Sequence, residues 1–550
     1  MSINIADLNE AIAAAIPDRE AIVFRNRRFT YSQFNDRACR LANVLLAHGI
    51  TLHKERHEIQ NWESGQDHVA LYMFNGNEYP EGILATLKAR AVPVNVNFRY
   101  VEKELIHLLN DASVKAIIYH QIFAPTLAKI LADIPTLKLL IQVEDGSGHE
   151  LLPGALEYEA ALASASSDKP ATVPSPDDIY MIYTGGTTGM PKGVLWRQGD
   201  FLASMLDARN KDGSPKTDIS KFVSHAVKSK PSSSLAAPPY MHGTGQLVSF
   251  LAWHSGNTVI LLDNVEHLNP AELLKTAETE KTKTIALIGD AFARPILAEL
   301  QKNTYDLTHL RIIVSSGAIF SNTVKDELIK RLPHVTIVDA FGSTETGAHV
   351  HNISTADQGS ASTSFELSAN GTVLSEDKTA VVKPGHKGRG WFAVKNSIPL
   401  GYLGDEQKTR ETFPTIQGVR YIIPGDRVIL QEDGSMEFLG RDSATITSGG
   451  EKIFAEEVEQ AIKRHPDVED VVVTSRPSEK WGQEVVAVVQ TRADKQVQSQ
   501  ILEEEAAKHI ARYKLPKAFI FTPKVKRGEN GKVDYRWAKA LAAETLREGA

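Results

Sequence analysis

Apolar residues recur with two different periods along the first third of the chain. Residues 69–73, 92–96 and 114–119 are apolar runs of strand length. Residues 79–88 and 101–111, between them, carry their apolar positions at helical spacing. This alternation predicts parallel sheets covered by helices. A second stretch of the same texture spans residues 200–338, with strands expected at 284–288, 310–314 and 335–338. Residues 379–438 read instead as short strands and turns. After Gly440 the pattern becomes helix 456–465, strands 468–474 and 484–490, and helix 498–513, a small α+β unit. The boundary falls at Arg441-Asp442, giving domains of residues 1–440 and 441–550.

Three segments depart from the alternation. Residues 164–178 are rich in Ser, Pro and Asp and read as a connector. Residues 231–262 contain no Asp, Glu, Lys or Arg, which raises the question of a membrane span. Pro238-Pro239, the serines, His242 and several glycines interrupt the run, so it reads as a buried strand–loop–helix region that walls a pocket. Ile5, Leu8 and Ile12 lie at helical spacing and predict a helix packed on the body.

Composition narrows the class. Of 550 residues 42% are hydrophobic and 23% charged, as in an ordinary globular protein. A net charge of −7 gives no reason to expect a nucleic-acid partner. Cys39 is the only cysteine, which excludes an intramolecular disulfide and a thiolate metal cluster and suits a reducing cytoplasm. The first residues carry acids and no basic start, unlike a signal peptide.

Candidate chemistry begins at Thr184-Gly185-Gly186-Thr187-Thr188-Gly189-Met190-Pro191-Lys192-Gly193-Val194, directly after the apolar run Ile179-Tyr180-Met181-Ile182. Glycines admit close backbone approach, hydroxyls and N–H groups suit phosphate oxygens, and Lys192 adds a cation. The Walker pattern fails, because Gly193 stands where a Ser or Thr should follow the lysine. Taken alone, the segment is either a phosphate cradle or a Gly/Thr-rich surface turn. Phe341-Gly342-Ser343-Thr344-Glu345-Thr346-Gly347 and Ser315-Ser316-Gly317-Ala318 each follow an apolar strand. Gly425-Asp426, the run from Gly440 through Lys452, and Arg527 through Lys532 come later. Each alone could be a turn.

In this order the segments resemble the motifs of the acyl-adenylate-forming superfamily, which includes acyl-CoA synthetases, luciferases and peptide-synthetase adenylation domains. The resemblance implies an α/β N-terminal domain with a small β-barrel-like region, and a small mobile α+β C-terminal domain. It implies ATP, Mg2+ and CoA as cofactor and cosubstrates. Thr184, Gly185, Gly186, Thr187, Thr188, Gly189 and Lys192 would close on the ATP β- and γ-phosphates. Thr344 would contact the α-phosphate and Glu345 would hold magnesium. Gly317 and Ala318 would meet adenine, and Asp426 and Arg441 the ribose. Asp442 would be the hinge, and Gly449, Gly450, Glu451 and Lys452 would enter the site for the thioester step. Lys532 would be the catalytic lysine of adenylation. Its segment departs from the family pattern, with Lys526 in place of Pro and Gly528 and Asn530 in place of Ser/Thr-type residues; Lys524 and Lys526 are nearby rivals read as solvated. His242 in Pro238-Pro239-Tyr240-Met241-His242-Gly243-Thr244-Gly245 is either a gate to the acyl site or a core histidine.

Residues 53–66 stand where relatives have only a few residues. They read as a solvated insertion, with a metal site from His53, His57 and His68 as the lesser alternative. Trp196-Arg197 and Asp534-Tyr535-Arg536-Trp537 bring the chain nearest to bacterial fatty-acyl and steroid side-chain CoA synthetases, implying a bulky or medium-to-long acid. The expected partners are that acid, ATP and CoA, with no nucleic acid and no integral membrane segment; a homodimer is compatible with the resemblance. Three alternatives stand beside this reading: an acyl-AMP ligase serving a carrier protein, a luciferase-like monooxygenase, and a non-catalytic nucleotide binder. The chain contains no fused carrier domain with an Asp-Ser-Leu-type attachment site, and Glu345, Asp426 and Lys532 are retained.

Overall fold

The computed structural model describes residues 3–184, 191–318, 320–359, 364–441, 445–448, 451–478, 482–493, 495–510, 512–528 and 533–547. The largest sheet has the order Gly347–Ser354, Thr336–Ser343, Ile312–Ser316, Thr284–Leu287, Ser233–Ala236, Thr258–Leu261, Glu20–Phe24 and Arg27–Thr30. Its inner strands pair in parallel, and the two edge strands are antiparallel. A second sheet, Val92–Asn95, His68–Tyr72, Ala116–His120, Leu139–Val143 and Leu156–Glu157, is parallel throughout. Both follow from near-continuous apolar runs, which bury on two faces under crossover helices. Trp196, Trp253 and Phe201 are among the largest side chains buried in the core. Burial of each contributes roughly 1.5–3 kcal/mol.

Two antiparallel sheets complete the N-terminal part. Ile179–Thr184, Lys192–Arg197 and Gly401–Tyr402 form a small one. Ser364–Glu366, Ser435–Arg441, Asp426–Leu430, Gly390–Lys395, Val419–Ile422 and Thr415–Ile416, with Gly371–Leu374 paired to Gly390–Lys395, form the seven-stranded one. The C-terminal part pairs Val468–Ser478 with Gly482–Thr491 and adds Ala518–Phe521 in parallel. The helices Ala455–Ile462 and Ser499–Ala507 cover a separate core containing Ile453, Val458, Val471, Val485 and Leu502. Arg294 reaches Glu469 of this part at 3.5 Å.

The charge-free run folds as strand Ser233–Ala236, helix Gly243–His254 and strand Thr258–Leu261. Among the described residues no helix is long and apolar enough to cross a membrane. The N-terminal helix Ile5–Ala15 buries Ile5, Leu8 and Ile12, capped by Asn4. Two expectations need correction. The helix expected over 498–513 ends at Ala507 and gives way to a 3₁₀ turn at Arg512–Lys514, ahead of Pro516, which disfavours helical backbone before it. The strand expected over 335–338 runs on to Ser343, because Gly347–Ser354 returns alongside and satisfies its ladder.

Candidate functional site

Ile179–Thr184 and Lys192–Arg197 are two arms of a hairpin, with Thr184 opposite Lys192. The expected phosphate residues Gly185, Gly186, Thr187, Thr188 and Gly189 lie between the arms in sequence and outside the described residues. The arms themselves are tightly packed. A Cβ on Gly193 would come within 2.7 Å of Met181 Sδ and 2.9 Å of Tyr183 Cε2, so this glycine serves sheet packing. Asn95, buried, accepts from the Tyr183 N–H at 2.8 Å and donates to the carbonyls of Tyr183 and Met241 at 3.0 and 2.7 Å. It ties the parallel sheet, the hairpin and the His242 segment together.

Lys192 is exposed, and its Nζ donates to Asp405 Oδ2 at 2.6 Å. Burial works against ionisation of Asp405. The Lys192 ammonium and the Lys408 backbone N–H outweigh it and hold the carboxyl below the ordinary range. Tyr402 lies on the third strand of the small sheet, opposite Val194. Its ring is 5.9 Å from Lys192 Nζ, and its hydroxyl donates to Glu345 Oε1 at 3.3 Å. Burial first, and the Glu345 charge second, push the Tyr402 hydroxyl upward, so it remains a donor. Sequence reasoning missed Tyr402 and Asp405.

Thr344 and Glu345 sit in the turn between Thr336–Ser343 and Gly347–Ser354. Ser343 Oγ accepts from the N–H groups of Glu345 and Thr346, both at 3.2 Å, and Thr346 Oγ1 accepts from the Ser343 N–H at 2.9 Å. Trp196 Nε1 donates to the Thr344 carbonyl at 2.9 Å, pinning this turn to the hairpin. The residues Thr344, Glu345, Tyr402, Asp405 and Lys192 are thus one contiguous group at the carboxyl end of a parallel strand, where open α/β sheets place ligands. Glu345 is a hard oxygen donor suited to magnesium. Among the described residues no three His, Cys, Asp or Glu cluster as a metal cage. A single carboxylate completed by substrate phosphates is an ordinary way to hold that ion.

Gly317 and Ala318 follow the neighbouring strand Ile312–Ser316. A Cβ on Gly317 would lie 3.4 Å from Thr244 Oγ1, so this turn faces the segment bearing His242. His242 is half-buried at the start of helix Gly243–His254, and its N–H donates to the Pro239 carbonyl at 3.1 Å. Asp426 is buried at the start of Asp426–Leu430, directly opposite Arg441 in the antiparallel ladder. The fold brings these two together in a different sheet from Glu345.

Asp442, Gly449, Gly450 and Lys532 lie outside the described residues, as do the side chains of Arg441, Glu451 and Lys452. Arg527 and Val533 form a bridge on either side of residues 528–532. Arg527 grips Asp470 through two bonds of 2.5 and 2.8 Å, and Lys463 reaches the same carboxylate at 2.8 Å. Lys526 is exposed, 3.6 Å from Asp534. The residues 53–66 are bonded to the body rather than loose. His53 pairs with Asp67 at 2.7 Å, while His68 turns to the Ala112 carbonyl and to Ser64 Oγ, so the two histidines serve different partners.

Glu459, in the same C-terminal core, is fully buried. Burial, with repulsion from Glu456 adding to it, pushes its carboxyl up to about 8, while its Oε1 accepts from the Val473 N–H at 2.8 Å. The folded chain therefore holds a proton that the unfolded chain gives up near 4.5. This contribution to stability is full below that pH and is lost as pH rises toward 8. Glu459→Gln keeps the acceptor and removes the titration. In unfolding measurements it should gain on the wild type by roughly 1–3 kcal/mol between pH 5 and 8. Parallel pH profiles would contradict the buried neutral carboxyl.

Comparison with known proteins follows these features end to end. The AMP-binding enzyme family model matches residues 9–403, and the AMP-binding enzyme C-terminal domain model matches residues 457–532. The Medium-chain acyl-CoA ligase Mig of Mycobacterium avium is 47% identical over 534 residues, covering 97% of each chain. A medium/long-chain-fatty-acid–CoA/3-oxocholest-4-en-26-oate–CoA ligase of Mycobacterium tuberculosis is 39% identical over 542 residues, covering 98% of this chain and 96% of that protein. Among solved structures, the anthranilate CoA ligase AuaEII in complex with anthranoyl-AMP matches with a TM-score of 0.80 at 19% identity, over 100% of this chain and 98% of that one. ATP-bound MatB from Rhodopseudomonas palustris matches with a TM-score of 0.80 at 22% identity, over 99% and 100%. At those identities the structural likeness establishes the fold: a large N-terminal α/β domain and a small C-terminal domain. The chain belongs to the AMP-binding enzyme family, which carries out ATP-dependent acyl-CoA synthesis.

Proposed function

We propose that this chain joins a medium- to long-chain or bulky, steroid-like carboxylic acid to CoA in two steps at one site. The observation that carries the reading is the contiguous group Lys192–Asp405–Tyr402–Glu345 beside Thr344, at the carboxyl end of a parallel strand. The acid class rests on the relatives of 47% and 39% identity. In the first step a carboxylate oxygen attacks the α-phosphorus of ATP, the bond to pyrophosphate breaks, and acyl-AMP forms. In the second the CoA thiol, losing its proton, attacks the acyl carbon and AMP leaves.

A carboxylate resists nucleophiles because of its charge, and conversion to a mixed anhydride supplies the leaving group. Residues 184–192 hold the β- and γ-phosphates, and Thr344 contacts the α-phosphate. Gly317 and Ala318 meet adenine, Asp426 and Arg441 the ribose hydroxyls, and His242 borders the acyl site. Glu345 would hold magnesium, which would supply neutralisation of phosphate charge. Lys532 balances charge between carboxylate and α-phosphate. The boundary lies at residues 440/441, and rotation about Asp442 exchanges Lys532 for residues 449–452. The lone, buried Cys39 suits a reducing cytoplasm. Association into a homodimer is a further proposal, checked by light scattering.

Gly450→Leu should cut thioester formation from supplied acyl-AMP by roughly 10- to 100-fold, while acyl-AMP formation changes by less than about twofold. Equal loss in both steps contradicts the role given to residues 449–452. The acceptor is tested by offering CoA and a phosphopantetheine-bearing carrier protein in competition. Thioester mass on CoA supports the reading, and mass on the carrier alone overturns it.

A further inference from the structure

We propose that the inserted segment of residues 53–66 is a brace for the turn at residues 402–405, and that it sets how well the site holds ATP. This rests on the adenylating site described above and adds a role for a segment outside its motifs.

The segment is folded on itself. A bridge between Leu52 and Gln66 closes it. The N–H groups of His53 and Lys54 both donate to the Gly65 carbonyl, at 2.8 and 3.0 Å. Arg56 donates to the carbonyls of Ile59, Gln60 and Glu63. Its base is fixed to the body at the start of the hairpin. Gln66 accepts from the Ile179 N–H at 2.8 Å, and Arg90 joins Glu55 at 3.0 Å to Asp178 at 2.7 Å. Its tip reaches the site. The Trp62 carbonyl accepts from the Gly404 N–H at 2.8 Å, and the Arg410 guanidinium lies 5.3 Å over the Trp62 ring.

The turn it touches carries two site contacts. Tyr402 donates to Glu345, and Asp405 accepts from Lys192. Between them Gly404 has φ +66°, a left-handed conformation that glycine adopts without strain, so the turn's path depends on what holds it. Asp405 also caps helix Glu406–Thr412 by accepting from the Lys408 N–H, and Arg410 sits one turn along that helix. A bond at Gly404 and a cation–π contact at Arg410 therefore hold the turn and its helix from one side. Arg410 also pairs with Glu406 at 2.8 Å, an exposed contact of small worth.

The test uses the full chain and two readouts. Calorimetry with ATP and magnesium, no acid present, measures ATP binding; supplied decanoyl-AMP with CoA measures the thioester step. Trp62→Ala should weaken ATP binding roughly 3- to 10-fold and leave the thioester rate within about twofold. Trp62→Phe, which keeps a ring face, should stay near wild type. Arg410→Ala should weaken ATP binding less than Trp62→Ala, and the double variant should fall short of the product of the two. Unchanged ATP binding in Trp62→Ala overturns the brace, as does a parallel loss of both readouts with a lowered melting temperature. Wild-type protein that binds no ATP would instead overturn the reading of the site.

Discussion

Lys532→Ala should slow acyl-AMP formation by roughly 10²- to 10³-fold, the loss expected when one group that stabilises developing charge is removed. Thioester formation from supplied acyl-AMP should stay within about threefold, because in the proposed second step a different loop takes the place of Lys532. The described residues that flank Lys532 in sequence are held in place. Arg527 and Val533 pair across it, and Arg527 is fixed to Asp470 by a bidentate ion pair that Lys463 joins from the other side. Such a planar fork fixes orientation as well as charge. The nearby rivals are differently placed: Lys524 is exposed, and Lys526 stands off Asp534 at 3.6 Å. Lys526→Ala should therefore alter acyl-AMP formation by less than about threefold. Equal loss in both half-reactions on Lys532→Ala would contradict its assignment to adenylation.

Glu345→Gln should lower acyl-AMP formation by roughly 10²-fold and raise the magnesium concentration needed for half-maximal rate. The substitution is nearly isosteric, and the turn that carries residue 345 is held by groups it leaves alone. Ser343, Thr346 and Trp196 fix its backbone, and the Tyr402 hydroxyl can still donate to an amide oxygen. Thermal stability should therefore change little, which separates loss of the carboxylate charge from loss of the turn. An unchanged magnesium requirement would contradict the role given to Glu345.

The repeating strand–helix pattern was legible because buried parallel strands are almost wholly apolar. Expected strands such as 69–73 and 284–288 fall within a residue or two of His68–Tyr72 and Thr284–Leu287. Where a neighbour decided the outcome, legibility failed. Thr336–Ser343 extends into the Phe341–Gly347 motif because the next strand, Gly347–Ser354, returns and pairs with it, and the helix expected over 498–513 stops at Ala507. Thr344, Glu345 and Lys192 were singled out by motif order, and the fold places them side by side through Trp196, Tyr402 and Asp405. Tyr402 and Asp405 were not legible, since Gly401–Tyr402 is a two-residue strand with no periodicity of its own. The only signal was a Gly-Tyr pair followed by an aspartate that begins a helix. The tie between residues 62 and 404 was invisible because it is a backbone bond, independent of side-chain identity. Asn95 was missed as well: it sits inside a run read only as an apolar strand, and its partners, Tyr183 and Met241, lie far away in sequence.

By this reading one chain converts a carboxylic acid to its CoA thioester through an acyl adenylate. It is tested most directly by incubating the purified protein with ATP, magnesium and CoA against a panel of acids, from short fatty acids through long ones to steroid side-chain acids. AMP release and thioester mass are followed together. The expected result is AMP and acyl-CoA in equal amounts, with the highest rates for medium- to long-chain or bulky acids. Absence of AMP with every acid would contradict the account.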